Sequence, residues 1–510
     1  MPFLLPVLTG FLLAVSFPRA GLGFVAWFAY IPLISFVCIA ATSVRAFLGG
    51  FIAGSIALFA LLVWIPEVLV RYGGLSPAVA WPAYVLLVSV LACYPAIACA
   101  LTKYLTRRGG AVFFLLFPAF WVVLEYVQSL SPFGGLPWIL AGYSQSEYLG
   151  IIQIADITGI FGVSFVILWA GTAVVWLVKH RGNKKRACAP LLVAILLISA
   201  CLAYGRNSLR RWENVPATFR AAMLQGNLSF DDPEHVLAEK FRKGYVRMAD
   251  TLKPGDTDLL ILPESPSPAS FQYEDSYRQV LEALARRYPL GLIFNNIRSS
   301  DAADGSEYFN SAYFLDAKGH LTGVYDKIHL VPFGEYIPLP KLFSFAETIT
   351  KDVGGFTPGR ELRVLKLGDH PANALICFEA VFPDLARRFV RKGSRLMVNL
   401  TNDGWYGNSD APYQHLAIAR LRAVENRRFL LRATNSGISA IVEPSGKIQM
   451  STGLFREAVG TGRFAFVEEM TLYTRYGDVF VFLCAIISCA LWAFAEFHRA
   501  LIRDRRTLED

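Results

Sequence analysis

Eight apolar stretches constrain this chain more than any other feature, near residues 2–17, 23–40, 46–66, 79–101, 111–128, 157–178, 188–205 and 478–496. Each is roughly 17–23 residues, close to the length that crosses ~30 Å of hydrocarbon. In lipid every backbone N–H and C=O must be satisfied inside the segment, so such stretches are helices. The first, residues 2–17, has neither a basic leader nor an Ala-x-Ala cleavage site, and reads as a short membrane helix instead of a removed signal. Residues 1–101 carry only four charged side chains, Arg19, Arg45, Glu67 and Arg71. Residues 215–470 have the mixed composition of an ordinary water-facing domain. The expected organisation is therefore seven membrane helices in 1–205, a domain in 206–477, and an eighth helix with a basic tail in 478–510.

Basic residues orient the bundle. With the N-terminus inside, the inner loops hold Arg45, then Lys103, Arg107 and Arg108, then Lys179, Arg181, Lys184, Lys185 and Arg186, then the arginine-rich tail. The short outer loops hold Arg19 and Arg71. This positive-inside pattern predicts both termini in the cytoplasm and 206–477 on the periplasmic side of the inner membrane. It also accounts for the net charge of +9 without nucleic acid. No Cys-x-x-Cys, zinc-type Cys/His spacing, Walker or dinucleotide-binding glycine pattern is present, so neither metal nor cofactor is expected.

Glu67, Glu125 and Asp156 fall near the outer ends of spans, where an interfacial position is expected. The outer loop 129–156 is rich in Gly, Pro and aromatics, and reads either as a headgroup-level belt or as the lining of a lipid entrance. The domain alternates short strands and helices. Strands are predicted at 221–225, 259–262, 290–294, 312–315, 321–325, 396–400, 429–433 and 438–442, and helices at 233–252, 274–287 and 412–428, the last with an arginine-rich face. Sheets covered by helices fit this alternation.

Of the eight cysteines, Cys377 alone lies in the polar part of the chain. The apolar run 372–376 ends at it, and Pro383-Asp384 then opens a helix, which would hold the sulfur on a sharp turn like a nucleophile elbow. Three further features sit at predicted strand ends. Glu264, between Pro263 and Pro266, is a candidate general base if partly desolvated, or a loop-capping glutamate. Lys327 interrupts an apolar stretch, and is either an oxyanion and thiolate stabiliser or a solvated edge-strand lysine. Glu335 could orient that lysine, bind substrate or pair with a surface arginine. Glu379 suits a supporting role at the elbow. A rival Cys–His system stays open on these grounds, with His235, His320, His329, His370 and His415 available and His329 nearest Lys327 in sequence.

Glu264 after a strand, Lys327 in 326–335 and Cys377 in Ile-Cys-Phe-Glu, in that order, resemble the nitrilase superfamily of carbon–nitrogen hydrolases. With spans on both sides, and with 402–407 and 432–437, the whole chain resembles the apolipoprotein N-acyltransferase family. The resemblance implies an αββα sandwich beside the membrane helices. It implies an acyltransferase moving a phospholipid acyl chain to the N-terminal amine of diacylglyceryl-cysteine on apolipoproteins. Glu264 would be the base, Lys327 the oxyanion stabiliser and Cys377 the nucleophile forming a thioester. Glu335, Glu379 and Phe378 would lie beside the site. The implied partners are phospholipid, lipoprotein and bilayer, and the implied state is a monomer. Phe378 replaces the tyrosine usual after the nucleophile, and Phe230 is the nearest aromatic where a tryptophan is usual. Residues 340–358 suit an apolar lid or a packed surface loop. The competing reading is a membrane-tethered amidase or nitrilase for small amides; a non-enzymatic transporter or ligand-capturing protein is a third.

Overall fold

The computed structural model describes residues 3–212, 215–229, 232–253, 255–302, 305–337 and 355–509. Most of the 340–358 segment and Phe230 lie outside them. The chain forms two compact units, one of residues 1–63, 81–207 and 476–510, the other of 64–80 and 208–475. The division thus assigns 64–80, which connects two apolar helices, to the unit that holds the strands.

The first unit is helical. Five helices among the described residues are long and apolar enough to cross a membrane: Ser43–Leu61, Pro77–Gly109, Ile160–Lys179, Lys184–Trp212 and Val479–Phe497. The other three expected spans are shorter or broken. Leu4–Val15 has 12 residues, a rise of only ~18 Å. The 23–39 stretch is divided at Tyr30, where Pro32 falls in the first turn of Ile31–Ile39, a position at which proline costs no hydrogen bond. The 111–128 stretch begins as a 3-10 turn before Phe117–Gln128. Small residues bring helices close: a Cβ on Gly50 would meet Ala96 Cα at 2.7 Å. Glu125 is buried and accepts from Trp121 Nε1 (3.1 Å) and Ala141 N (2.7 Å). Loop 129–156 is packed into this unit, with Trp138, Tyr143 and Gln145 buried. Asp156 accepts from Tyr204 Oη.

Among its described residues the second unit has twelve strands: β1 (Phe219–Gln225), β2 (Leu259–Ile261), β3 (Leu292–Ala302), β4 (Gly305–Leu315), β5 (Leu321–Asp326), β6 (Leu365–Leu367), β7 (His370–Ile376), β8 (Met397–Thr401), β9 (Leu430–Thr434), β10 (Ala440–Val442), β11 (Ile448–Ser451) and β12 (Ala458–Phe464). They form two six-stranded sheets, β12-β1-β2-β3-β4-β5 and β11-β10-β9-β8-β7-β6. β1, β2 and β3 run parallel, as do β7, β8 and β9. The sheets face each other through β1 on β9 and β4 on β7.

Burial on both sides explains the near-continuous apolar runs of the central strands. Ala222 and Leu224 of β1 point into a core shared with Tyr245, Tyr277, Leu281 and Leu284 of the covering helices. Gln225, at the end of β1, points the other way. Its Oε1 accepts from Ser439 Oγ (2.8 Å) and Thr452 Oγ1 (2.7 Å), which ties the sheets together. Over the second sheet, helix Pro383–Arg391 buries Leu385, Ala386, Phe389 and Val390, a spacing that gives one apolar stripe. Helix Ala411–Asn426 buries Arg422 against Glu425. Helices outside two facing sheets make an αββα sandwich.

Candidate active site

The C-terminal ends of the parallel strands share one edge of each sheet, the usual place for a site in open α/β sheets. Three non-glycine residues just past these ends have left-handed backbone: Asn227 (φ 50°) after β1, Ser265 (φ 48°) after β2 and Cys377 (φ 49°) after β7. Such a conformation costs an L-residue roughly 1–3 kcal/mol and persists only where the surroundings over-determine it. At Cys377 it turns the chain from β7 directly into the 3-10 turn Cys377–Val381.

Glu379 fixes that turn. Its Oε2 accepts from Ile376 N (2.8 Å). Its Oε1 accepts from Tyr325 Oη (2.7 Å), Ile328 N (2.8 Å) and His329 N (3.2 Å). One buried carboxylate therefore ties the loop after β5, which carries Lys327, to the elbow that carries Cys377.

The three residues singled out for chemistry converge and are buried, with side-chain or residue exposures of 7% or less. Lys327 Nζ lies 3.9 Å from Glu264 Oε1 and 2.8 Å from Glu335. Asn310 Nδ2 donates to Glu264 Oε1 (3.0 Å) and Glu335 Oε1 (2.9 Å). Asn295 Nδ2 donates to Asn310 Oδ1 (2.6 Å), and Asn295 Oδ1 accepts from Ser265 N (2.9 Å). Glu264 Oε2 has no hydrogen-bond partner at ordinary distance among the described residues. The Cys377 thiol also lies beside that carboxylate and favours its ionised form.

Burial sets the resting protonation. It pushes the Cys377 thiol up to about 12, with Glu264 adding to the rise and Lys327 opposing it. The sulfur is therefore a neutral thiol at neutral pH and needs a base. Burial likewise raises Glu264, against the pull of Lys327. For Lys327 burial acts downward, but Glu335 and Glu264 more than offset it and keep the ammonium charged. The set can pass a proton from sulfur to Glu264 and place a positive charge beside a developing oxyanion.

The remaining candidates resolve by position. Glu335 holds Lys327, and its Oε2 also accepts from Val331 N (2.8 Å). Phe378 packs edge-on against Phe382, centroids 5.0 Å apart. His329 stacks on Phe382 at 4.4 Å. The histidine closest to Cys377 in the hydrogen-bond network is His415, and its Nε2 meets the Cys377 carbonyl oxygen at 3.2 Å, not the sulfur. Sequence reasoning missed Asn310; its signal was a lone amide inside the strand Tyr-Phe-Asn-Ser-Ala-Tyr-Phe. It also missed Asp403, buried between His415 (3.0 Å) and Arg432 (2.7 Å).

A two-sheet domain presenting a cysteine, a lysine and a glutamate in this way defines a carbon–nitrogen hydrolase-type catalytic domain. Residues 220–467 match the family model described as carbon-nitrogen hydrolase, and residues 9–173 match that described as the apolipoprotein N-acyltransferase N-terminal domain. The apolipoprotein N-acyltransferase of Geobacter metallireducens is 40% identical over 99% of this chain and 96% of its own length. That of Methylococcus capsulatus is 33% identical over 93% and 92%. Among solved structures, Saccharomyces cerevisiae Nit3, a nitrilase-superfamily member, is 21% identical over 48% of this chain and 89% of its own, with a TM-score of 0.38. The chain belongs to the apolipoprotein N-acyltransferase family, whose members are membrane acyltransferases of the carbon–nitrogen hydrolase superfamily.

Proposed function

We propose that this acyltransferase takes an acyl chain from a membrane phospholipid and delivers it to the N-terminal amine of diacylglyceryl-cysteine on apolipoproteins, through a thioester on Cys377. The observation that carries the reading is the convergence of Glu264, Lys327 and Cys377 in one buried cluster. The catalytic unit works outside the cytoplasm and both termini lie inside; the distribution of basic residues between the loops supports this orientation.

The steps balance as follows. Cys377 Sγ attacks the ester carbonyl while its proton passes to Glu264. The tetrahedral oxyanion forms beside the Lys327 ammonium. Collapse breaks the ester C–O bond, and Glu264 returns the proton to the departing lysophospholipid oxygen. The amine then attacks the thioester, gives a proton to Glu264, and the sulfur leaves and is reprotonated. Splitting the transfer this way replaces one slow aminolysis by two activated steps. Small-amide hydrolysis explains the domain but not the membrane unit and its own family match.

The test is intact-mass measurement after incubation with phospholipid. A single acyl adduct on the wild-type chain, absent from Cys377→Ala and discharged by a diacylglyceryl-cysteine peptide, is expected. No adduct, or the same adduct on Cys377→Ala, would sink the mechanism. Ammonia released from soluble amides without lipid would support the amidase instead.

A further inference from the structure

The nucleophile is held from behind by groups the acyl-transfer steps do not use. His415 Nε2 meets Cys377 O at 3.2 Å. A carbonyl oxygen only accepts, so Nε2 carries a proton and donates it. His415 Nδ1 faces Asp403 Oδ1 at 3.0 Å and Arg432 Nη2 at 3.1 Å. Arg432 holds the other Asp403 oxygen at 2.7 Å. The Thr401 hydroxyl reaches both the Cys377 sulfur and Asp403 Oδ1, the latter at 3.4 Å. Asp403 thus lies behind both ends of the nucleophile, its carbonyl through His415 and its sulfur through Thr401. All five residues are buried. Gly437 closes the ring, since a Cβ there would collide with the Asp403 carboxylate.

We propose that His415, Asp403 and Thr401 form a clamp that positions Cys377, with His415 holding the left-handed elbow by its carbonyl so that the sulfur stays beside Glu264. The proposal rests on Cys377 being the nucleophile. It makes His415 a positioning residue, not the base of a Cys–His pair. The geometry decides this: the imidazole engages the Cys377 carbonyl oxygen on one side and Asp403 and Arg432 on the other. The titratable or charged groups facing the thiol are Glu264, Lys327, Asp403 and, nearby, Tyr406. Without the clamp the sulfur decouples from Glu264.

The experiment uses the full chain in detergent with phospholipid, comparing wild type with His415→Leu, His415→Gln and Thr401→Val. Two quantities are read: the rate of acyl-enzyme formation, and the pH profile of Cys377 alkylation by iodoacetamide. His415→Gln keeps an N–H near the Nε2 position, whereas His415→Leu keeps only bulk. The expected result is a tenfold or greater loss of acylation rate in His415→Leu, with the phospholipid KM within twofold. His415→Gln should recover to within about threefold of wild type. In His415→Leu the alkylation profile should move to lower pH than wild type, since burial remains while Glu264, which adds to the rise, stands farther from the sulfur. Thr401→Val, a smaller change, should lower the acylation rate at unchanged KM even if His415→Leu does not fold. Wild-type rates and profile in His415→Leu, equal losses in Leu and Gln variants, or a wild-type Thr401→Val would each overturn the clamp. Alkylation needs no lipid, so a chain that alkylates as expected yet takes no acyl group refutes the proposed function and leaves the clamp standing.

Discussion

Lys327 makes its close ion pair with Glu335, at 2.8 Å, and stands off from Glu264 at 3.9 Å. The asymmetry separates two jobs. Glu335 neutralises a buried ammonium and fixes where it points. Glu264 is left able to take a proton. Removing Glu335 lets Lys327 move onto Glu264, which lowers its basicity and pulls the charge away from the oxyanion. A displacement of about 1 Å from productive geometry costs on the order of 10²-fold in rate. Glu335→Ala should therefore slow acyl-enzyme formation by about that factor while phospholipid KM changes little. Single-turnover mass measurements check it, and a wild-type rate would show that Glu335 does not set where Lys327 points.

Glu379 offers acceptor oxygens to four donors, Ile376 N, Tyr325 Oη, Ile328 N and His329 N. Glu379→Gln has one acceptor oxygen and presents N–H to a donor. Leaving a buried donor unsatisfied costs about 1–3 kcal/mol. Denaturant unfolding should show that loss. Acylation should fall too, because the same contacts set the Lys327 loop against the elbow. Unchanged stability would mean that the loop and the elbow are held some other way.

The central strands were legible because burial on both faces writes itself as short apolar runs. Leu259–Ile261 lies within a predicted strand, and Met397–Thr401 and Leu430–Thr434 each overlap one and run one residue past its predicted end. The long β3–β4 hairpin was only half visible. Residues 295–302 and 305–311 are mostly polar or aromatic and fall in no predicted strand, yet they extend a hairpin in which Leu292–Ala302 pairs with Gly305–Leu315 through 11 residue pairs. β12 was missed because Gly460 and Gly462 weaken the strand pattern, their space being filled by Met450 and Gln449. The arginine-rich face of helix 411–426 resembles a solvated surface in sequence, whereas Arg422, Arg427 and Arg428 are buried. The partners of Arg427 and Arg428, carbonyls of Pro444, Ser394 and Glu469, come from distant segments, as does the Val381 carbonyl that accepts from Arg422. In the same way Glu264, Lys327 and Cys377 could be named one by one, but Asn310, which joins two carboxylates, acquires meaning only once the hairpin is folded.

Asp403 is fully buried, which alone would raise its carboxyl, but the charges of Arg432 and His415 hold it below the ordinary range. A carboxyl depressed on folding contributes stability that is present above its unfolded value, about 3.9, and lost as pH falls through its folded value. Wild type should therefore lose stability from this group below about pH 4. Asp403→Asn leaves Arg432 buried without its counter-charge, at a cost of about 3–5 kcal/mol. It should also lack that acid-induced decline. Parallel unfolding curves at neutral and acid pH test both parts, and equal acid sensitivity in the variant would place the titrating group elsewhere.

Asn310 tunes Glu264, the proposed base. Burial raises Glu264 above the usual carboxylate range; Lys327 and the Asn310 amide pull it back, while Glu335 pushes it further up. The base must be ionised to accept the thiol proton, so acylation should rise with pH through a limb lying above about 4.3, the value of a free glutamate. Asn310→Ala removes a donor that favours the ionised form. The limb should then move to higher pH and the plateau rate should drop, since Glu264 also loses its orienting contact. Asn310→Asp adds a third carboxylate beside two others and should move the limb further in the same direction. The order of the three limbs, wild type lowest and Asp highest, follows from Coulomb repulsion and lost hydrogen bonding alone. The measurement is the initial rate of Cys377 thioester formation against pH. A limb that stays put in both variants would show that Glu264 is not the group whose ionisation gates the reaction.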